Sequence, residues 1–142
     1  MKLEILSFNG KLFKSETVSS VTAMTKAGEI TVLSNHSALI TSLKPSVLRV
    51  VYLDENNMKQ EKDFAIGGGI LEVANNSMKI LIDMLISVDE VDLNLAEQAK
   101  QKALEMMEKY KHSADRVDME KFIEAEDMLL KSIAQLKLGE IK

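Results

Sequence analysis

The chain has 142 residues, of which 46% are hydrophobic and 28% charged, with a net charge of −4. This composition is that of an ordinary globular protein of about one domain's length. The absence of cysteine excludes disulfides, thiolate nucleophiles and cysteine-based metal sites, and the acidic balance argues against a nucleic-acid-binding protein, which would carry a basic face.

Residues 1–86 are predicted to form short β-strands separated by turn signals. The pair Asn9-Gly10 predicts a two-residue hairpin turn after the first strand. Many short strands at this spacing indicate an all-β sandwich or barrel. The predicted strands cover residues 3–8, 11–13, 17–24, 30–33, 38–43, 47–53, 58–66, 70–74 and 78–85.

The triplet Gly67-Gly68-Gly69 raises the question of a phosphate-binding loop. The GxGxxG pattern would require glycine at position 72, where the chain has Glu72, and no Gly-Lys-Ser/Thr sequence occurs. The triplet also precedes a strand-like run, so no helix N-terminus would face a phosphate. We therefore interpret it as a bulge, a tight bend or a close strand crossing.

Residues 87–142 contain no glycine before Gly139 and are predicted to form two helices. The sequence Ser87-Val88-Asp89-Glu90 resembles a capping box, and Asp89 or Asp92 could equally cap the first helix. Asp115 or Asp118 is the start signal of the second. One apolar face carries Leu95, Ala99, Ala103, Met106 and Tyr110, and the other carries Phe122, Leu129, Ile133 and Leu136.

The predicted organisation is a β-sandwich domain at residues 1–86 followed by a helical hairpin domain at residues 87–142. The two helices are expected to be antiparallel because residues 111–115 form a short break between them. A helix pair with one apolar stripe buries little by itself. It must lie on the β part, bind a partner, or switch between the two.

No catalytic constellation is apparent in the sequence. Neither His36 nor His112 has a second histidine at metal-ligand spacing, and no Gly-x-Ser-x-Gly motif occurs. These features favour a binding or coupling module. Two alternatives stay open: a generic β-sandwich adaptor whose helical hairpin binds a partner, and a hydrolase that uses His36 with a nearby serine or glutamate.

Several segments, in order along about the whole chain, resemble the epsilon subunit of bacterial F-type ATP synthases. Gly68-Gly69-Ile70-Leu71-Glu72-Val73, with Asn76-x-Met78 and Leu81-x-Asp83 after it, resembles that family's GG-x-LEV…N-x-V-x-x-L-x-D signature. The similar segments elsewhere are residues 28–41 (GE-x-G-x-x-x-x-HAPLLT in the family), 44–50 (KPG-x-x-R-I), 99–103 (AKRKA) and 133–137 (IAQLR).

The resemblance implies an α+β fold, a flattened β sandwich of about ten strands followed by the two-helix hairpin. It also implies a non-catalytic rotor subunit of the central stalk, without a cofactor, that couples ion-driven c-ring rotation to ATP synthesis. Its expected partners are the gamma subunit, the c-ring and, through the C-terminal helices, the alpha/beta catalytic head, where the helices inhibit ATP hydrolysis. The expected location is peripheral, at the cytoplasmic face of the bacterial cell membrane, without insertion into the bilayer.

Two positions correspond to the family's c-ring contacts. Glu29 and His36 keep the seven-residue spacing of the family's Glu and His, so the resemblance implies that both contact polar c-ring loops. The chain departs from the family pattern around them. Thr31 replaces a usual Gly, Ser34-Asn35 replaces Pro-Gly, and Ser37 replaces Pro.

A nucleotide motif found in some family members is degenerate here. The family's I/L-D-x-x-R-A aligns with residues 91–96, so that Val91, Asp92, Leu95 and Ala96 occupy the motif positions. The motif Arg is replaced by Leu95, which we expect to pack on the apolar face of the first helix. The second helix is expected to contribute no arginine, and we therefore expect no ATP binding and no other cofactor.

Overall fold

The computed structural model describes residues 1–141 and contains ten strands and two long helices, with a 3-10 turn at Val88–Glu90. The predicted fold class is confirmed. The elements are β1 Lys2–Ser7, β2 Leu12–Ser15, β3 Val18–Thr25, β4 Gly28–Leu33, β5 Leu39–Leu43, β6 Ser46–Leu53, β7 Lys59–Ile66, β8 Gly69–Ala74, β9 Ser77–Ile82, β10 Leu85–Ser87, α1 Leu93–Tyr110 and α2 Arg116–Ile141.

The strands form two layers of five that face each other. Layer one has the order β4-β3-β6-β7-β10, and layer two has the order β5-β8-β9-β1-β2. The layers are joined along the hydrogen-bonded path through β3 and β5, which share the single pair Thr25↔Leu43. The pairs within the layers are antiparallel except that β1 runs parallel to β9.

The sandwich core follows from alternation along the strands. In β9, Met78, Ile80 and Ile82 are buried while the residues between them point outward, as expected of a strand with one face on a core. The same alternation in both layers joins their inner faces into one apolar cluster. Phe13 of β2 closes the cluster by edge-to-face contacts with Tyr52 and Phe64 of layer one.

Two sequence predictions about strands and turns are wrong. The predicted strand 78–85 is two strands, because β9 ends at Ile82 and β10 crosses to pair Leu85 with Ile66 in layer one. Leu85 is buried three residues after Ile82, which breaks the period of two. The predicted two-residue turn is a four-residue connection, residues 8–11, in which only Gly10 is left-handed (φ 84°).

The glycine triplet serves strand geometry, as interpreted from the sequence. A Cβ on Gly69 would collide with the carbonyl oxygen of Leu81 and lie 2.7 Å from Cγ2 of Ile82, so β8 and β9 approach too closely for a side chain. A Cβ on Gly67 would occupy the place of the Asp83 carboxylate. At Gly68 the nearest atom would be 3.4 Å away, which leaves room for a methyl group.

The helix starts are fixed by carboxylates. The amide of Leu95 donates to Asp92 at 3.1 Å, so Asp92 caps α1. The capping box of Ser87 and Glu90 instead closes the 3-10 turn before α1. Asp115 accepts from the amide of Val117 at 2.8 Å and caps α2. Of the alternatives left open by the sequence, Asp92 and Asp115 are the caps of the long helices.

The hairpin lies on the outer face of layer one. Helix α2 contacts β6 and β7, and α1 packs against α2. Small residues allow close approach. Ala134 of α2 meets Ala65 of β7, and together with Leu138 they form a second apolar cluster. Within the helix pair, Ala103 and Ala125 are fully buried. Helix α2 is therefore covered on two sides, by the sheet and by α1.

Candidate interaction surfaces

Glu29 and His36 are both exposed, but the structure does not bring them together. Glu29 is the second residue of β4, opposite Met24, and His36 lies in the turn beyond the other end of the same strand. From Glu29 to Leu33 alone the strand rises about 13 Å at about 3.3 Å per residue. The pair therefore marks the two ends of one edge rather than a single point.

Strand β4 and the turn after it explain two of the departures from the family pattern. It pairs only with β3 among the described strands, and Thr31 points outward and shares a 3.0 Å hydroxyl contact with Thr22, so a side chain fits there. Asn35 has φ 65°, a left-handed conformation that asparagine tolerates better than other non-glycine residues. Its amide also donates to Asn76 at 2.8 Å. Nothing in the structure explains Ser37.

The outer face of layer two carries an apolar row that the sequence reasoning missed. Ile70, Leu81, Leu6 and Leu12 lie directly opposite one another on β8, β9, β1 and β2. Their side chains are 52%, 45%, 36% and 54% exposed. Contiguous exposed apolar surface of this kind typically marks a protein interface. We call these four residues the apolar row.

A row of charges runs beside the apolar row, two residues along each strand. Glu72, Lys79, Glu4 and Lys14 are paired across the same four strands. The signs alternate, and Lys14 Nζ lies 3.7 Å from Glu4 Oε2. The charges balance one another, so the surface favours a partner with apolar side chains and a mixed polar border rather than one of a single charge sign.

The residues of the degenerate nucleotide motif have other roles or none. Asp92 caps α1, Ala96 is buried and Val91 is partly buried against α2. The expectation that Leu95 packs on the apolar face is wrong, because its side chain is 62% exposed. Of the other residues predicted on that face, Ala103 is fully buried and Ala99, Met106 and Tyr110 are partly buried. The predicted inward face of α1 is therefore confirmed except in the first turn, where Ala96 is buried in place of Leu95.

The arginines of the chain lie away from that motif. Arg116 is the first residue of α2, so the expectation that the second helix has no arginine is wrong. It is at the loop end of the antiparallel hairpin, whereas the motif is at the opposite end, about 27 Å away along an 18-residue helix. The groove beside the motif contains Lys100 and Lys137 balanced by Glu97 and Glu140, so it offers a phosphate no net positive charge.

Arg49 is also committed to the protein itself. Its Nε lies 2.9 Å from Asp63 and 2.8 Å from Glu61 on the outer face of layer one. The hydrogen bond to Asp63, together with the charges of Asp63 and Glu61, raises the pKa of Arg49 above its ordinary value. This guanidinium therefore joins β6 to β7.

The histidines have no catalytic surroundings within residues 1–141. The ring of His36 has a 2.7 Å contact between Nδ1 and the Ser37 carbonyl oxygen, and no hydroxyl lies within hydrogen-bond distance of it. His112 is exposed in the interhelical loop. No group of three His, Asp or Glu side chains in the described chain could hold a metal ion. The hydrolase alternative thus lacks a nucleophile paired with His36.

Within residues 1–141, no helix is both long enough and apolar enough to cross a membrane.

Comparison with known proteins finds similar sequences for most of the chain. The family model described as "ATP synthase, Delta/Epsilon chain, beta-sandwich domain" matches residues 1–88. The ATP synthase epsilon chain of Hydrogenovibrio crunogenus is 37% identical over 107 residues, which cover 75% of this chain and 70% of the relative. That of Clostridium kluyveri is 40% identical over 103 residues, covering 72% and 74%.

Two solved structures share the fold. A chain in the Euglena gracilis mitochondrial ATP synthase matches with a TM-score of 0.73 at 22% identity, covering 99% of this chain and 80% of that one. A chain in the central stalk and c-ring structure of the Tetrahymena thermophila mitochondrial ATP synthase matches with a TM-score of 0.53 at 22% identity, covering 64% and 69%. At these identities the likeness concerns the fold.

Proposed function

Because the chain belongs to the ATP synthase delta/epsilon family, we propose that it is the central-stalk rotor subunit of a bacterial F-type enzyme, coupling c-ring rotation to ATP synthesis. The observation that carries this proposal is the family match over residues 1–88 together with epsilon-chain relatives 37% and 40% identical. The subunit acts through contacts, without catalytic residues or a cofactor of its own. It lies peripherally, at the cytoplasmic face of the cell membrane.

The apolar row is the proposed contact with the gamma subunit. It lies on layer two, whose outer face the hairpin leaves uncovered, whereas α2 occupies the outer face of layer one. A subunit that transmits torque needs a persistent interface, and persistent interfaces are more apolar than transient ones. Gamma would then remain bound on one side of the sandwich whatever the position of the hairpin.

The β4 edge is the proposed contact with the c-ring. Glu29 and His36 lie at the two ends of an exposed strand, so the whole edge would rest along the polar loops of the ring rather than touch them at one place. Such a contact is expected to be wet and sensitive to salt.

The double variant Glu29→Lys with His36→Glu is expected to weaken association with the c-ring about tenfold at low salt, since it reverses the charge at one end of the proposed contact and introduces a carboxylate at the other. The melting temperature of the isolated subunit should stay nearly unchanged, because both side chains are exposed. Co-purification with the c-ring measures the first effect. Glu55→Lys, an exposed carboxylate in the β6–β7 turn, is the control. Unchanged ring binding with a collapsed melting temperature would make Glu29 and His36 structural residues.

The hairpin is the proposed regulator of ATP hydrolysis, reaching the alpha/beta head when it leaves layer one. The decisive experiment compares the assembled enzyme carrying the full chain with one carrying residues 1–90 only. The truncated chain ends at residue 90 rather than 86 because a division after residue 86 would remove Ser87 from β10 and break the capping box. A chain of residues 1–90 keeps both that box and the 3-10 turn. We expect the truncated subunit to assemble and ATP hydrolysis to rise. If the truncated subunit does not assemble with gamma and the c-ring, the sandwich is not the rotor contact; equal hydrolysis rates would exclude the inhibitory role.

A further inference from the structure

The contact between α2 and the sandwich has a small apolar component. Its fully enclosed members are Ala65, Ala134 and Leu138, with four partly buried aliphatic residues around them. Two of the three central side chains are alanines, which offer little apolar area for burial. The docked position of α2 therefore depends more on polar contacts than the position of a typical core helix does.

One ion cluster joins α2 to the sandwich. Nζ of Lys131 lies 2.8 Å from Oδ2 of Asp83, in the β9–β10 connection, and 2.8 Å from Oδ2 of Asp127, one turn earlier on α2. Burial lowers the pKa of Lys131, but the hydrogen bonds to Asp127 and Asp83 outweigh it, so that the pKa is raised overall. The lysine side chain is only 26% exposed, so this pair is better shielded from water than an ordinary surface pair.

The two carboxylates respond differently to release of the helix. Asp127 belongs to α2 and keeps its i,i+4 contact with Lys131 wherever the helix goes. Asp83 belongs to the sandwich and loses its cation when α2 leaves. While α2 is docked, Oδ1 of Asp83 is buried without a hydrogen-bond partner within residues 1–141, so the Lys131 ammonium at Oδ2 is what offsets the charge of this carboxylate.

Gly67 makes the cluster sterically possible. A Cβ at this position would overlap Oδ1 of Asp83 and lie 3.1 Å from Cε of Lys131, so one added methyl group would displace both partners. The backbone of Asp83 is also fixed beside the triplet, since its amide donates to the Gly68 carbonyl at 3.2 Å. One turn after Lys131, Gln135 approaches the sulfur of Met84 at 3.8 Å. The glycine, the carboxylate and the helix thus fit together at one place.

We propose that Asp83, seated against Gly67, and Lys131 form an electrostatic latch that holds α2 on layer one and sets how readily the hairpin is released. The proposal rests on the regulatory role proposed for the hairpin, and it assigns that regulation to a contact within this chain. The 3-10 turn stays with the sandwich through the 2.8 Å pair of Lys11 and Glu90. The pivot for release is therefore at Val91 and Asp92, after that pair.

Thiol labelling of the full-length chain tests the latch directly, because the native sequence contains no cysteine. Ala134→Cys places a thiol under the sheet and reports undocking of α2, whereas Ala103→Cys places one inside the helix pair and reports its opening. Each reporter is combined with Asp83→Asn, Lys131→Gln or Gly67→Ala. Asp127→Asn is the matched control, since it removes a carboxylate from the same lysine but leaves the contact to Asp83.

Asp83→Asn and Lys131→Gln should each raise the labelling rate at position 134 about fivefold, as expected for loss of a partly shielded ion pair. Gly67→Ala should act in the same direction, and Asp127→Asn should have less than about a twofold effect. Labelling at position 103 should not change. Unchanged rates at position 134, or equal increases at 134 and 103, would overturn the latch.

The assembled enzyme separates this proposal from the regulatory one. If the latch variants release α2 in the isolated subunit and also change the rate of ATP hydrolysis, both proposals hold. If labelling at position 134 rises but hydrolysis does not change, the latch stands and the regulatory role of the hairpin fails.

Discussion

Replacement of Gly69 by alanine is expected to lower the free energy of unfolding of the protein by about 2–3 kcal/mol, the range of a forced overpacking in a close-packed core. The added Cβ would meet backbone atoms of β9, the carbonyl oxygen of Leu81 and, at 2.8 Å, the Cα of Ile82. Backbone atoms cannot turn away as a flexible side chain can. The two strands must therefore separate, and β8 and β9 are central in layer two.

The matched control for this variant is Gly68→Ala, one residue earlier. Its nearest neighbour would be 3.4 Å away, and it should leave stability unchanged or raise it by up to about 1 kcal/mol through reduced freedom of the unfolded chain. Urea denaturation followed by circular dichroism measures both variants. Equal stability of the two would show that the β8–β9 crossing relaxes without cost, contrary to the steric account of the triplet.

Leu81→Asp is expected to reduce the affinity of the isolated subunit for purified gamma about 100-fold, which combines loss of an apolar anchor with burial of an unpaired carboxylate. Leu81 is central in the apolar row, opposite both Ile70 and Leu6. It is 45% exposed in the free subunit, so the aspartate remains hydrated there and the melting temperature should fall only slightly.

Met58→Asp is the control for the gamma interface, because Met58 is 61% exposed and lies in the β6–β7 turn, which belongs to layer one. It should bind gamma as the native chain does. Isothermal titration with gamma gives the affinities. Native-like binding of Leu81→Asp would remove the apolar row as the gamma contact, and a large loss of binding by Met58→Asp would move that contact to layer one.

Features set by neighbouring residues could be predicted from the sequence. The strand segments follow from alternation, the helix caps from carboxylates before apolar runs, and the role of Gly69 from the run that follows it. Leu85 carried a signal that was not used, since its odd spacing from Ile82 already conflicts with one continuous strand. The division of the fold into a β-strand half and a helical half could therefore be predicted from the sequence alone.

Features set by pairing between distant segments could not be predicted. The apolar row depends on the pairing of Leu6 with Leu81. The local sequence pattern predicts which residues of a strand point outward, but it does not predict which residues of a distant strand lie beside them. The inward face of α1 was predicted correctly except in its first turn, where the small Ala96 is buried and the larger Leu95 points to solvent. The ion pair of Asp83 with Lys131 joins residues whose approach is fixed only by docking of α2.

The parallel pairing of β1 with β9 also constrains when the protein can fold during synthesis. Lys2 pairs with Ser77, 75 positions later, and β1 separates β9 from β2 in layer two. At about 5–20 residues per second, β1 waits about 4–15 s on the ribosome before its parallel partner β9 has been synthesised, although β2 is available earlier. During that time Leu3 and Ile5 are exposed and can bind chaperones or neighbouring chains, whereas both are fully buried in the folded protein. Slow translation before β9 should therefore lower the yield of folded subunit more than slow translation within the helices.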